Sequence, residues 1–110
     1  MAYDEALAAT VRDLVGPGSG IGEREMFGGI AFMVDGNMAV GVTGGDLMVR
    51  VGKEGHEDAV SLPGARAFEM GGKGPMVGWI RVSEEGFASE TELAEWVDRG
   101  VGYARSLPPK

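Results

Sequence analysis

The chain has 110 residues, of which 20 are glycine and none cysteine, and its 17 acidic and 10 basic side chains give a formal charge of −7. That length fits one domain, residues 1–110, the lack of cysteine excludes disulfide and thiolate chemistry, and the acidic balance opposes autonomous nucleic-acid binding, which rests on Lys and Arg displacing counterions. The glycine share is over twice the usual value of about 7% and has no three-residue period, which excludes collagen and implies many turns or close backbone approaches.

The first segment is predicted to be a helix, because Tyr3, Leu7, Val11 and Leu14 recur on one stripe while Asp4, Glu5, Arg12 and Asp13 fall outside it. Its start has no basic n-region or apolar h-region of a signal peptide, and no apolar run approaches the roughly 18 residues that cross a bilayer. A soluble cytoplasmic location without a membrane partner is therefore expected. Gly16-Pro17-Gly18-Ser19-Gly20 stops the helix. This run and Gly22 read as a flexible connector, since a dinucleotide loop would follow a strand and open a helix.

From Ile30 the period becomes two. Ile30, Phe32 and Val34 alternate with Ala31 and Met33, and Asp35-Gly36 is a hairpin signal, because both turn positions need positive φ. The return strand, Asn37 to Thr43, puts Met38, Val40 and Val42 on one face and Ala39 and Gly41 on the other. After Gly44-Gly45, Leu47, Val49 and Val51 continue a third strand with Met48 and Arg50 opposite. Gly52 to Ser61 reads as a short polar helix closed by Pro63-Gly64. Ala65 to Met70 is a fourth strand, Gly71 to Pro75 a loop, and Met76 to Val82 a fifth strand.

Ser89-Glu90-Thr91-Glu92 is a capping box. It opens a helix whose stripe is Leu93, Trp96, Val97, Val101, Ala104 and Leu107, and Pro108-Pro109 ends it. The order α-β(3)-α-β(2)-α predicts an α+β two-layer fold, one antiparallel five-stranded sheet with helices mostly on one face.

If the helices cover Ile30, Phe32, Val34, Val40, Val42, Leu47 and Val49, the second face carries Ala31, Met33, Ala39, Gly41, Met48, Arg50, Val77, Trp79 and Arg81. A solvated face would carry hydroxyl and charged residues; this one is small, apolar and aromatic with two arginines. Such a face marks an interaction site, and Arg50, Trp79, Arg81, Met48 and Met33 are its candidate contacts. The competing reading is a slip of the face assignment at a bulge, or a loop laid over the patch.

Catalytic chemistry finds little support. The only histidine, His56, stands among Glu54, Glu57 and Asp58 on a short helix, where neighbouring side chains point apart, so it reads as part of a solvated polar face and not a metal ligand. Gly71-Gly72-Lys73-Gly74 lacks the spacing of a phosphate loop, no G-x-S-x-G elbow is present, and nothing brings Glu25 and Glu69 together as a carboxylate pair. Arg24, Arg50, Lys73 and Arg81 come from separate elements. No catalytic residue, metal or cofactor is assigned.

At Met26-Phe27-Gly28-Gly29, followed by Ile30 to Met38, the chain resembles the N-terminal domain of the TfoX/Sxy competence-regulator family. Asp46 to Val51, Pro63-Gly64-Ala65-Arg66 and Met76 to Val82 agree in order and spacing, so the resemblance covers roughly residues 3 to 105. It implies an α-β(3)-α-β(2)-α two-layer fold similar in outline to type III secretion chaperones. It also implies a non-enzymatic role in regulating competence genes, together with the catabolite-activator protein. Full-length members carry a helical C-terminal domain, which a chain ending at Lys110 is expected to lack.

Three functions follow as expectations. The first is a cytoplasmic interaction module that binds a protein partner or itself through the second sheet face. The second is an accessory contact to DNA in transcription, with direct DNA binding by the domain alone opposed by its charge. The third is a small-molecule or enzymatic site beside the glycine-rich loops.

Overall fold

The computed structural model describes residues 3–18, 20–26, 28–69 and 74–109. It is an α+β fold built on one antiparallel sheet, as the sequence pattern implies, with six strands in place of five. The strands are β1 (Ile21–Met26), β2 (Gly29–Val34), β3 (Asn37–Thr43), β4 (Asp46–Arg50), β5 (Ala65–Glu69) and β6 (Pro75–Val82). They lie side by side in the order β1-β2-β3-β4-β6-β5. The helices are α1 (Glu5–Val15), α2 (Gly52–Val60) and α3 (Glu90–Ser106), with a 3-10 turn over Glu84–Phe87.

The additional strand is β1, which replaces the expected flexible connector. Its IGEREM sequence has no apolar alternation because it is a sheet edge paired only with β2, where charged side chains face water and discourage edge-to-edge association. It is anchored at its start, where the Asp35 N–H donates to the Gly20 carbonyl at 2.8 Å. The Arg12 guanidinium, from α1, holds Glu23 of β1 with two hydrogen bonds of 2.6 and 2.8 Å. This pairing lowers the Glu23 carboxyl below its ordinary pKa. The group is exposed, so its contribution is small; it is present above the ordinary carboxylate range and is lost as pH falls through the lowered value.

The Asp35-Gly36 turn has φ of +52° and +84°, the two positive values a type I′ hairpin requires. Behind the sheet, α3 lies across β3 and β4 and packs beside α1, while α2 packs on β6 and β5. Phe32, Val40, Val42, Leu47, Val49, Ile80 and Val82 point into this layer and are 0–1% exposed. Gly100 lets α3 approach: a Cβ there would run into the Ala39 carbonyl. Trp96, one turn earlier, is 4% exposed and donates its indole N–H to the Gly86 carbonyl at 3.0 Å.

The capping box at α3 is formed. Ser89 Oγ accepts from the Glu92 N–H at 3.1 Å, and Glu92 Oε1 accepts from the Ser89 N–H at 3.3 Å. Ser89→Ala is expected to lower unfolding free energy by about 1 kcal/mol, read from a urea midpoint shift at constant slope. At the other end, the side chain of Asn37, 2% exposed, donates from Nδ2 to the Pro108 carbonyl at 3.0 Å.

Two bulges reset the faces. Between Phe32 and Met33 the β2–β3 register changes from Phe32 opposite Val40 to Met33 opposite Met38. Ala39 is the extra residue, so it joins the helix-side core and Met38 turns to the second face. This reverses the assignment that strict alternation suggests for those two residues. Between Ala67 and Phe68 the β5–β6 register jumps from Ala67 opposite Ile80 to Phe68 opposite Met76. Phe68 thereby belongs to the second face.

Candidate interaction face

The second face is organised by one row that runs across the whole sheet. Register partners in sequence are Arg24, Ala31, Gly41, Met48, Arg81 and Arg66. Arginines thus stand at both ends and the smallest residues near the middle. Methionine fills the depression those small residues leave. A Cβ on Gly41 would sit 3.0 Å from Met48 Cε and 3.2 Å from Met38 Cε, so the thioethers lie over the backbone. Ala31, Met38, Met48 and Phe68 form a second, smaller core, with Met33, Met76 and Trp79 half-buried against it.

The expected contact residues are therefore brought to one face but sit at different depths. Met48 is 2% exposed and supports the surface from beneath. Met33 and Trp79 are half-buried, and Val77, in the β6 bulge, is 59% exposed. Arg81 is ion-paired within the chain: its Nε is 2.7 Å from Asp46 Oδ2, and the same oxygen accepts from Arg66 at 3.4 Å. Arg50, opposite Trp79 in the β4–β6 register, is placed differently. Its Cζ lies 5.1 Å from the Trp79 ring centroid and 5.5 Å from that of Tyr103 on α3. Among the described residues its guanidinium makes no hydrogen bond or ion pair.

The backbone beneath this cluster explains how it is held. Gly78, at φ +91°, has no β5 partner and turns its α-carbon toward Gly52, where a Cβ would lie 3.0 Å from the Gly52 carbonyl carbon. Gly52, at φ +80°, opens α2, and the Tyr103 ring occupies the space a Cβ would need there. Only glycine reaches these conformations without strain. The Gly78 N–H donates to His56 Nδ1 at 2.9 Å, and its carbonyl accepts from the Val51 N–H at 2.8 Å.

His56 is thus a structural acceptor and not simply one more member of a solvated helix face. Sequence spacing missed it because the amide it satisfies is freed by a bulge in another element. His56→Ala leaves that part-buried amide without its partner and is expected to cost about 1 kcal/mol, checked by chemical denaturation.

Elsewhere the chemistry is sparse. Glu25 and Glu69 lie on β1 and β5, the two opposite edges of the sheet. Among the described residues no three His, Cys, Asp or Glu side chains are grouped to hold a metal, and no helix is long and apolar enough to cross a membrane. Gly71, Gly72, Lys73 and Met70 lie outside the described residues. A groove of about 440 Å³ between the starts of α1 and α3 is lined by Asp4, Glu84, Phe87, Ser89 and Glu90, among others. Its Asp4 and Ser89 side chains are already engaged as helix caps. A hollow of about 370 Å³ beside Gly16 and Gly18 has Arg12 and Glu23 in its wall, and these pair with each other.

A family model, that of the TfoX N-terminal domain, matches residues 13–104. No curated protein and no solved structure matches the chain.

Proposed function

Because the chain belongs to the TfoX N-terminal domain family, we propose that it is a non-enzymatic interaction module with a regulatory role of the kind the competence regulators perform. It docks a partner protein on the second face of the sheet. One observation carries this reading: on a chain of net charge −7, a methionine-lined, aromatic face is crossed by a row ending in arginines at both edges. Charge complementarity favours a partner segment that combines large apolar side chains with acidic ones. A second copy presenting the same face would set arginine against arginine.

The test compares cross-linked capture by wild type, Trp79→Ala, Met33→Asp and a helix-side control, Arg99→Glu. Loss of one defined partner band in both sheet-face variants, with retention in the control, supports the reading. Equal capture by all four overturns it. Sedimentation of the purified chain covers the self-association arm: a dimer that Met33→Asp dissolves would make the occupant a second copy.

The same arginines support an accessory contact to DNA as a second reading. It predicts a gel shift that strengthens at low salt and weakens in Arg24→Glu. No shift at low salt removes it.

A further inference from the structure

We infer that Arg50 is a preformed receptor for a carboxylate, and that the segment docking on the second face inserts an aspartate or glutamate side chain against it. This rests on the docking reading above. A guanidinium that lies over aromatic rings uses its flat face and leaves its in-plane N–H donors available. Arg50 is held over two rings, is half-buried, and has no hydrogen-bonded or ion-paired partner among the described residues. Asp46, at the other end of β4 and about 13 Å away along the strand, is engaged by Arg81 and Arg66.

The site is partly set before any ligand arrives. Arg50 is the last residue of β4 and is fixed opposite Trp79 by strand register. Tyr103 is seated against Gly52, so the second ring is fixed as well. A planar fork held in this way matches a carboxylate with two parallel hydrogen bonds, and little side-chain freedom is left to lose on binding. The surroundings identify the source of the anion. Trp79 stands beside the fork, in the apolar surface that Met33 and Met76 extend across the face, which suits an acidic residue within an apolar peptide. Asp46 offsets only one of the two charges of Arg66 and Arg81, so the apolar setting, and not the local field, is what favours a peptide carboxylate over a phosphate dianion.

The test follows the Nε–H resonance of Arg50 and the indole N–H resonance of Trp79 by NMR, at constant ionic strength. The probes are a capped peptide of leucine, glutamate, leucine and leucine, its glutamine isostere, and inorganic phosphate. The glutamate peptide is expected to move both resonances and to bind roughly tenfold or more tightly than the isostere, the usual worth of a charge-assisted pair. Arg50→Gln should abolish that preference, and Arg50→Lys, which keeps the charge but loses the fork, should lose most of it.

Equal binding of the two peptides by wild type, or a preference that survives Arg50→Gln, overturns the carboxylate assignment. A phosphate response as strong as that of the glutamate peptide also overturns it. If both peptides bind alike and Trp79→Ala abolishes binding, the docking face stands without the receptor; if neither peptide binds, both fall.

Discussion

Trp96→Ala is expected to lower the unfolding free energy by about 3–5 kcal/mol, the range for removing a large buried aromatic side chain. Two losses combine at this position. The ring is 4% exposed within the main core, so its removal leaves a cavity between α3 and the 3-10 turn. The Gly86 carbonyl, which accepts the indole N–H at 3.0 Å, also loses its donor. Gly86 itself is buried against Pro63 and Val82, which limits how far the turn can close over the vacancy. The change is read as a fall in the denaturation midpoint with an unchanged slope. A variant within 1 kcal/mol of wild type, roughly a fivefold change in the folding equilibrium, would show that the turn collapses onto the helix without cost.

Gly100→Val is expected to destabilise the protein by about 3 kcal/mol or more, the upper end of the effect of overpacking a filled core. The would-be Cβ meets the Ala39 carbonyl and lies 3.4 Å from Val49 Cγ1. Helix propensity favours valine over glycine by only a few tenths of a kcal/mol, so the steric term decides the sign. The substitution also reaches the candidate site. Tyr103 follows Gly100 by three residues on the same helix face, and its ring covers Gly52 and lies near Arg50. Lifting α3 at Gly100 therefore shifts the ring before the fold is lost. Near-ultraviolet circular dichroism of the residual folded fraction measures this, and an unchanged spectrum at an unchanged midpoint would contradict the close approach.

Much of this architecture was legible because local signals agreed with the global arrangement. Asp35-Gly36 specifies its turn by itself, Ser89 and Glu92 specify their helix start, and the alternation from Ile30 to Val34 needs no tertiary help. What stayed hidden depends on partners distant in sequence. Edge strand β1 has no period because only one neighbour constrains it. Ala39 and Met38 exchange faces through a bulge that alternation cannot reveal. At the candidate site, the shared face of Arg50 and Trp79 follows from their alternation, whereas the pairing of β4 with β6 and the contribution of Tyr103, from a helix half the chain away, do not. The pairing of Arg81 with Asp46 spans 35 residues and likewise left no trace in local spacing. The TfoX resemblance, by contrast, rests on strand segments spread over most of the chain, and the family match covers the same region.

Apolar residues on both faces have a further consequence for the central strands. In a sheet with one wet side, a one-residue slip exposes the greasy set and is strongly disfavoured. Here a slipped β3 would still find hydrophobic company above and below, so amphipathic sorting discriminates weakly between alignments. The Asp35-Gly36 turn and steric fit together supply the missing selectivity. Gly41 provides the second, since any side chain at its position would come within 2.9 Å of the Ile30 carbonyl oxygen. Gly41 thus adds a steric check on strand alignment to the one the Asp35-Gly36 turn imposes.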